Sequence, residues 1–217
     1  MPPDFRGFPF LKLPAELRQN IFRWYASSII APTLVAYPGA LKCHCGKWTP
    51  PTNSAHPPIY QVDMALARTC SQIKTEYLEF FYHKHTLYFD CCCELNARLK
   101  SNLALRSSLR SIKVHWTGLV SDKAFTRLAK CPELKHLEIA VSISTTFFET
   151  AREKEMQRFF RSHRTTRLSE ALGIDELLTI RGLTSVRVSH VHRKQAEKRR
   201  DEDRASLQGL LSAKLLG

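Results

Sequence analysis

The sequence predicts an α+β fold in which an N-terminal helical unit is followed by a short layer of parallel strands with helices on one side. Three observations predict it. An apolar stripe recurs at helical spacing near the N-terminus, the chain changes from a helical to a strand pattern before residue 90, and one six-residue pattern occurs three times after residue 100. Apolar residues make up 43% of the 217 residues, which is enough for a folded core.

The first predicted element is an amphipathic helix within residues 8–30. Pro14 suits the first turn of a helix, where its missing N–H would have had no intrahelical partner. The apolar residues that recur at spacings of three and four are Leu13, Leu17, Ile21, Trp24 and Tyr25. Phe22 broadens this stripe, and polar residues occupy the other face, so one side of the helix is expected to be buried.

Residues 31–58 are predicted to form a proline-rich loop or insertion, because six prolines fall within them. The segment also contains Cys43, His44, Cys45 and His56. Zinc usually takes four ligands in Cys-x₂₋₄-Cys or His-x₃₋₅-His spacing, and Cys-x-Cys is tighter than that. Cys91, Cys92 and Cys93 could supply further thiolate ligands only if the fold brought them near this segment. The spacing along the chain does not decide whether it does. We therefore expect ordinary cysteines, no metal site and no cofactor.

Residues 59–191 are predicted to form an α/β domain that begins with a helix and a strand. The helical pattern covers 63–82, where the apolar positions are Leu66, Cys70, Ile73, Tyr77 and Phe80. The composition then becomes typical of a strand at 85–89, with Leu87 and Phe89 on one face.

An internal repeat predicts the rest of this domain. The pattern L-x-x-L-x-L, with some β-branched substitutions, starts at Leu109, Leu134 and Leu183, and the second interval of 49 residues is nearly twice the first of 25. Helical patterns precede the second and third copies, at 124–131 and 168–178, and a longer helical segment at 147–167 fills the missing repeat. Because the period lies within the leucine-rich-repeat range, we predict a leucine-rich-repeat-like layer; a generic α/β layer is the alternative. The residues expected to be buried in neighbouring parallel strands are Ile112, Val114, Leu137, Ile139, Val186 and Val188.

Residues 192–217 are predicted to form a charged C-terminal helix or tail. The net charge is +13, from 33 basic and 20 acidic residues. The basic clusters of this segment are Arg193, Lys194, Lys198, Arg199 and Arg200. Such clusters suit phosphate groups or nuclear import, so a nucleic-acid-binding or nuclear accessory protein is the alternative function. We expect weak nucleic-acid binding, because Asp201, Glu202 and Asp203 follow and pair with the basic residues at helical spacing.

Composition and motifs exclude several classes of protein. No apolar run reaches the roughly 18 to 20 residues that span a bilayer, so no membrane partner is expected. Seven cysteines and the absence of an N-glycosylation sequon point to a reducing compartment, cytoplasmic and/or nuclear. The phosphate-binding, zinc-protease and serine-hydrolase motifs are all missing, so we expect that the chain is not an enzyme.

Two stretches carry a resemblance to a known family. LPAELRQNIF at residues 13–22 resembles the opening helix of an F-box, whose pattern is roughly L-P-x-E-[LI]-x-x-x-I-[FL]. LARTCSQIKTEY at 66–77, followed by Phe81, Tyr82 and a Thr-Leu-Tyr-Phe strand, is similar to a large group of fungal F-box-like proteins, most of them uncharacterised. The resemblance covers about residues 8–90.

The resemblance implies a protein–protein interaction adaptor, in which the F-box docks the Skp-type subunit of a cullin–RING ubiquitin ligase and a C-terminal repeat domain captures an unknown protein substrate. Carried over by position, the partner-binding residues would be Leu13, Pro14, Leu17, Ile21 and Phe22.

Overall fold

A five-stranded sheet forms the centre of the protein. The structure is a computed structural model that describes residues 9–27, 33–36, 45, 64–147, 151–159, 167–191 and 198–216. The strands are β1 (Thr33–Val35), β2 (Thr86–Phe89), β3 (Ser111–His115), β4 (His136–Val141) and β5 (Ser185–His190). They stand in chain order, and every neighbouring pair is parallel, which confirms the predicted α+β fold with parallel strands.

Helical segments connect the strands. The helices are α1 (Ala15–Ser27), α2 (Ser71–Lys84), α3 (Cys92–Ser101), α4 (Leu103–Ser108), α5 (Ser121–Leu128), α6 (Ala151–Phe159), α7 (Ile174–Leu177) and α8 (Lys198–Leu215). Short 3₁₀ turns lie at Phe10–Lys12, Leu66–Arg68, Ile143–Phe147 and Leu168–Glu170. None of the helices in the described ranges is long and apolar enough to cross a membrane.

The three copies of the repeated pattern become β3, β4 and β5. Ile112 stands beside Leu137, which stands beside Val186, and the next inward position repeats this with Val114, Ile139 and Val188. All six side chains are buried, as predicted. Alternate positions of each strand point to the same face, so the two inward positions of the pattern build a continuous apolar row across the sheet.

One apolar core runs through the described residues from Phe22 to Leu215. The inward side chains of the strands pack in it with buried side chains of α2, α3, α5 and α7. Helix α5 is an amphipathic helix whose apolar face lies in the core. Its residues Ala124, Phe125 and Leu128 recur at helical spacing and are fully buried.

Strand β1 corrects the prediction that residues 31–58 are a loop or insertion throughout. Thr33–Val35 pairs with β2, and Leu34 is buried beside Leu87. The prolines that predicted a loop still allow a strand of three residues. This strand lies at the edge of the sheet, so it forms hydrogen bonds with only one neighbouring strand. Apart from residues 33–36 and Cys45, the segment lies outside the described residues.

The N-terminal helix, Ala15–Ser27, lies within the predicted residues 8–30, whereas two other predicted helices have different bounds. The helix expected from residue 63 begins at Ser71, because Cys70 is extended (φ −157°, ψ 168°) and its Sγ accepts a hydrogen bond from the N–H of Ile73 as the N-cap. The single helix expected at 168–178 is a 3₁₀ turn and the short α7, separated by Gly173 at φ +96°. Helices α3 and α4 were not predicted at all.

The C-terminal helix α8 packs against the edge strand β5. Its buried side chains are Leu207, Leu211 and Leu215, which agrees with the prediction of a helix in 192–217. Gln208 makes two hydrogen bonds to the strand: its Nε2 donates to the carbonyl of Val186 over 2.9 Å, and its Oε1 accepts from the N–H of Val188 over 2.6 Å. One side-chain amide thereby takes the place of a neighbouring strand.

Candidate functional site

Helix α1 exposes an apolar ridge to solvent. Leu17 is 48% exposed, Ile21 37% and Trp24 80%, and their spacing places them on one side of the helix. Of the other predicted partner-binding residues, Pro14 is exposed and Leu13 is half-buried. We call Leu17, Ile21 and Trp24 the α1 ridge. Trp24 was not in the predicted set, although its position one turn after Ile21 is the signal that could have included it.

Phe22 does not belong to this exposed surface. It is fully buried, and its ring lies 5.5 Å from that of Tyr77 in an edge-to-face arrangement and about 6 Å from those of Phe10 and Phe80. The prediction that Phe22 contacts a partner therefore disagrees with its position. Its aromatic contacts hold α1 against α2 instead.

Arg18 joins the same two helices by an ion pair. Its Nε donates to Oε2 of Glu76 over 2.8 Å and its Nη2 to Oε1 over 2.9 Å, and its Nη1 donates to the carbonyl of Leu13. The hydrogen bonds from Arg18 lower the pKa of Glu76 below its ordinary value. Because a forked guanidinium fixes both distance and orientation, this pair sets how α1 lies on α2.

The face of the sheet opposite the core carries polar side chains in register. Tyr88, Lys113, Glu138 and Arg187 stand side by side on β2 to β5. Lys113 Nζ lies 2.8 Å from Glu138 Oε1, which also accepts a hydrogen bond from Ser189 Oγ over 2.7 Å. Burial raises the pKa of Glu138, but the hydrogen bonds from Lys113 and Ser189 outweigh it, so the net shift is downward. This row alternates in charge and is not a uniformly basic surface.

The basic cluster predicted for nucleic acid is largely outside the described residues. Arg193 and Lys194 lie there, and Lys198, Arg199 and Arg200 form the start of α8 without described side chains. The acidic residues that follow have other contacts. Asp201 Oδ1 lies 3.2 Å from His190 Nε2 and 3.5 Å from Arg204 Nε, and Asp203 accepts a hydrogen bond from the N–H of Leu168.

Three cysteines from two distant parts of the chain meet at one point. The Sγ atoms of Cys45, Cys91 and Cys93 all lie within 4.8 Å of one another, and those of Cys45 and Cys93 are 3.6 Å apart. We call these residues the thiol cluster. Cys92 points away from it into the core, where burial raises its pKa to about 12. Cys43, His44 and His56 lie outside the described residues.

The topology of the sheet explains this meeting. Parallel strands have their carboxyl ends at the same edge, so the connections that follow β1, β2 and β3 are neighbours there. Cys45 comes from the connection after β1, while Cys91 and Cys93 begin α3 directly after β2. Cys91 is the N-cap of α3, and its Sγ accepts a hydrogen bond from the N–H of Glu94 over 3.4 Å.

The surroundings of the cluster favour a thiolate on Cys93. Hydrogen bonds from the thiols of Cys45 and Cys91, and then from the backbone N–H groups of Leu119 and Val120, lower the pKa of Cys93 and outweigh the effect of its burial. Three sulfur atoms this close together are a donor set for soft metal ions.

Comparison with known proteins adds no relative. No family model, no curated protein and no solved structure matches this chain.

Proposed function

We propose that this chain is a protein–protein interaction adaptor whose helix α1 docks the Skp-type subunit of a cullin–RING ubiquitin ligase. The α1 ridge is the observation that carries the proposal. Single exposed apolar residues are ordinary, but three that share one face of a helix are typical of a helix that lies in the groove of a partner. The resemblance of residues 13–22 to an F-box helix names the partner.

The attachment of α1 supports the same function. Phe22 is packed among aromatic rings and Arg18 is paired with Glu76. One side of α1 is therefore fixed to α2, while the α1 ridge faces solvent. A binding helix that is already ordered loses less conformational entropy when its partner arrives.

The polar row on the outer face of the sheet is our candidate for the second surface that an adaptor needs, with Arg187 exposed and Tyr88, Lys113 and Glu138 half-buried. Neighbouring parallel strands in register present their outward side chains side by side, as Tyr88, Lys113, Glu138 and Arg187 do here. Their alternating charge suits a protein substrate with charged side chains of both signs better than the uniform negative charge of a nucleic acid.

Binding of the full chain to a purified Skp-type subunit tests the proposal, with isothermal titration calorimetry as the measurement. We expect micromolar or tighter binding of the unmodified chain. The Leu17→Asp, Ile21→Asp double variant removes two anchors and should weaken binding by about 2 kcal/mol or more, which is roughly 30-fold. Leu103→Asp, which changes a residue 67% exposed on α4, is the matched control and should bind normally.

Circular dichroism establishes that each variant is folded. Trp24→Ser is a second ridge variant whose residue is 80% exposed, so its substitution leaves the core intact and should also weaken binding. If the unmodified chain fails to bind at micromolar concentration, or if both ridge variants bind like the control, docking through α1 is wrong.

A further inference from the structure

We propose that Cys45, Cys91 and Cys93 form a three-thiolate Zn²⁺ site at the carboxyl edge of the sheet. The site is independent of the docking function proposed for α1, because none of its residues lies on that helix. Its purpose is structural: the metal would join the connection after β1 to the start of α3.

The distances between the sulfur atoms are close to those that zinc requires. Zn–S bonds of about 2.3 Å at tetrahedral angles place two sulfur ligands about 3.8 Å apart. Cys45 Sγ and Cys93 Sγ are 3.6 Å apart, and all three sulfur atoms lie within 4.8 Å of one another. A shift of about 1 Å or less in side-chain position therefore completes three corners of the tetrahedron, and a ligand other than these three takes the fourth.

A disulfide is a poorer explanation of the cluster. The 3.6 Å separation is well above the S–S bond length of about 2.05 Å. A disulfide would also use only two of the three converging thiols. A metal site would use all three as ligands.

The loop after β3 is shaped to approach the thiols. Gly118 has φ +117°, and a Cβ atom on it would lie 2.8 Å from Cys93 Sγ and 3.2 Å from Cys45 Sγ. Only a residue without a side chain lets the backbone come this close. The backbone of this loop therefore lies directly beside the sulfur atoms of Cys93 and Cys45.

The sulfur donors come from parts of the sequence that are far apart. Cys45 and Cys93 are separated by 48 positions, and α2 and β2 lie between them. A metal bound here closes a long loop, and closing a long loop removes more conformational freedom from the unfolded chain than closing a short one. Zn²⁺ should therefore raise the unfolding temperature of the chain.

Metal titration of the full chain tests the site. The chain is purified with a chelator and a thiol reductant, the chelator is removed, and Zn²⁺ is added against a competing colorimetric chelator. We expect one Zn²⁺ per chain, a higher unfolding temperature on binding, and tighter binding as pH rises, since coordinated thiols release protons. Co²⁺ in place of Zn²⁺ should give the visible bands of tetrahedral Co²⁺ and thiolate-to-cobalt charge transfer.

Single serine variants identify the ligands. Cys45→Ser, Cys91→Ser and Cys93→Ser each remove one sulfur atom, and each should weaken Zn²⁺ binding by more than the roughly 10- to 100-fold that follows from changing an outer-shell partner. Cys70→Ser is the matched control. Like Cys91, Cys70 is a helix N-cap whose sulfur accepts a backbone N–H, but it does not belong to the thiol cluster.

The outcomes separate the alternatives. Loss of binding in the three cluster variants, with normal binding in Cys70→Ser, supports the site. Absence of stoichiometric binding by the unmodified chain overturns it, and so does equal binding by Cys93→Ser and the control. If a cluster variant unfolds, the Co²⁺ spectrum of the unmodified chain still decides, because bands without charge transfer from sulfur contradict thiolate ligands.

Discussion

Replacing Gly118 with alanine adds a methyl group where two sulfur atoms already lie. Two costs follow from the structure. A φ of +117° is unfavourable for a residue with a Cβ atom, by about 1–2 kcal/mol, and the 2.8 Å approach to Cys93 Sγ forces the thiol or the loop to move, which typically costs about 1–3 kcal/mol more. The smaller entropy of the unfolded alanine chain returns about 0.4–1 kcal/mol. We expect a net loss of about 1–4.5 kcal/mol in the free energy of unfolding.

Gly182→Ala isolates the backbone cost. Gly182 has φ +78°, and a Cβ atom there would have no neighbour within 4 Å, so only the conformational penalty remains. We expect this variant to lose about 1 kcal/mol after the same entropic correction. The measurement is urea unfolding followed by circular dichroism, on metal-free chains in thiol reductant, with the slope of the transition fitted for each variant.

The difference between the two variants measures the contact with the thiols. If Gly118→Ala is no less stable than Gly182→Ala, the close approach to Cys93 and Cys45 does not exist in solution. The β3–α5 loop would then give no support to the metal site. A larger loss of unfolding free energy in Gly118→Ala, accompanied by weaker Zn²⁺ binding, would agree with both the close approach to the thiols and the metal site.

Two further predictions concern the sheet and the attachment of α1. Leu137→Ala, at a buried position between Ile112 and Val186, should lower the free energy of unfolding by about 2–5 kcal/mol in the same assay, whereas Leu103→Ala at an exposed position should change it little; equal effects would contradict the core. Glu76→Gln should remove a stabilisation that depends on pH. The pKa of Glu76 is lowered from 4.5 in the folded chain. The pair with Arg18 therefore contributes its full stabilisation of the folded chain at pH values above 4.5, and this stabilisation is lost as the pH falls through the lower folded pKa. Unfolding temperatures of the unmodified chain and Glu76→Gln should therefore differ at pH 7 and converge once the pH is below the folded pKa, with Glu79→Gln on the same helix as control; a difference that is constant with pH would refute this.

The strands that the sequence predicts best are those whose side chains alternate over a buried face. Ile112 with Val114 and Leu137 with Ile139 each mark two inward positions, and the intervening Lys113 and Glu138 mark the outward one. This period of two is a local property, so it can be recognised without knowing which strands are neighbours. The apolar spacing of α1 and α5 is local in the same sense.

The elements that were missed depend on tertiary context. Strand β1 has three residues, too few for a period, and it is a strand because Leu34 finds Leu87 beside it. Helix α3 begins within a run of three cysteines, a sequence with no strong helical signal, and its N-cap is the thiol of Cys91. Burial of Phe22 beside exposed Leu17 and Ile21 likewise reflects which side of α1 meets α2.

The thiol cluster was only half visible in the sequence. Cys91 and Cys93 follow directly after the strand predicted at 85–89, and this placement is a signal that they lie at a sheet edge. Cys45 could not be added, because its approach depends on the strand order of β1 and β2 and not on any spacing along the chain. Ligand spacing rules describe sites whose ligands are close in the sequence, and they do not cover a site assembled from two connections that are 48 positions apart.

Gln208 occupies two backbone groups on the outer side of the last strand of the sheet. Sheets of parallel strands in chain order have no internal limit to their width, since the last strand offers the same unpaired groups as each strand before it. Here the carbonyl of Val186 and the N–H of Val188 are already occupied by one glutamine. Any modification or truncation that detaches α8 would return those groups to solvent as a template for a strand from another molecule. Helix α8 thus covers part of this sheet edge, and tags or fusions attached beyond it should be joined by linkers long enough to leave its contacts with β5 intact.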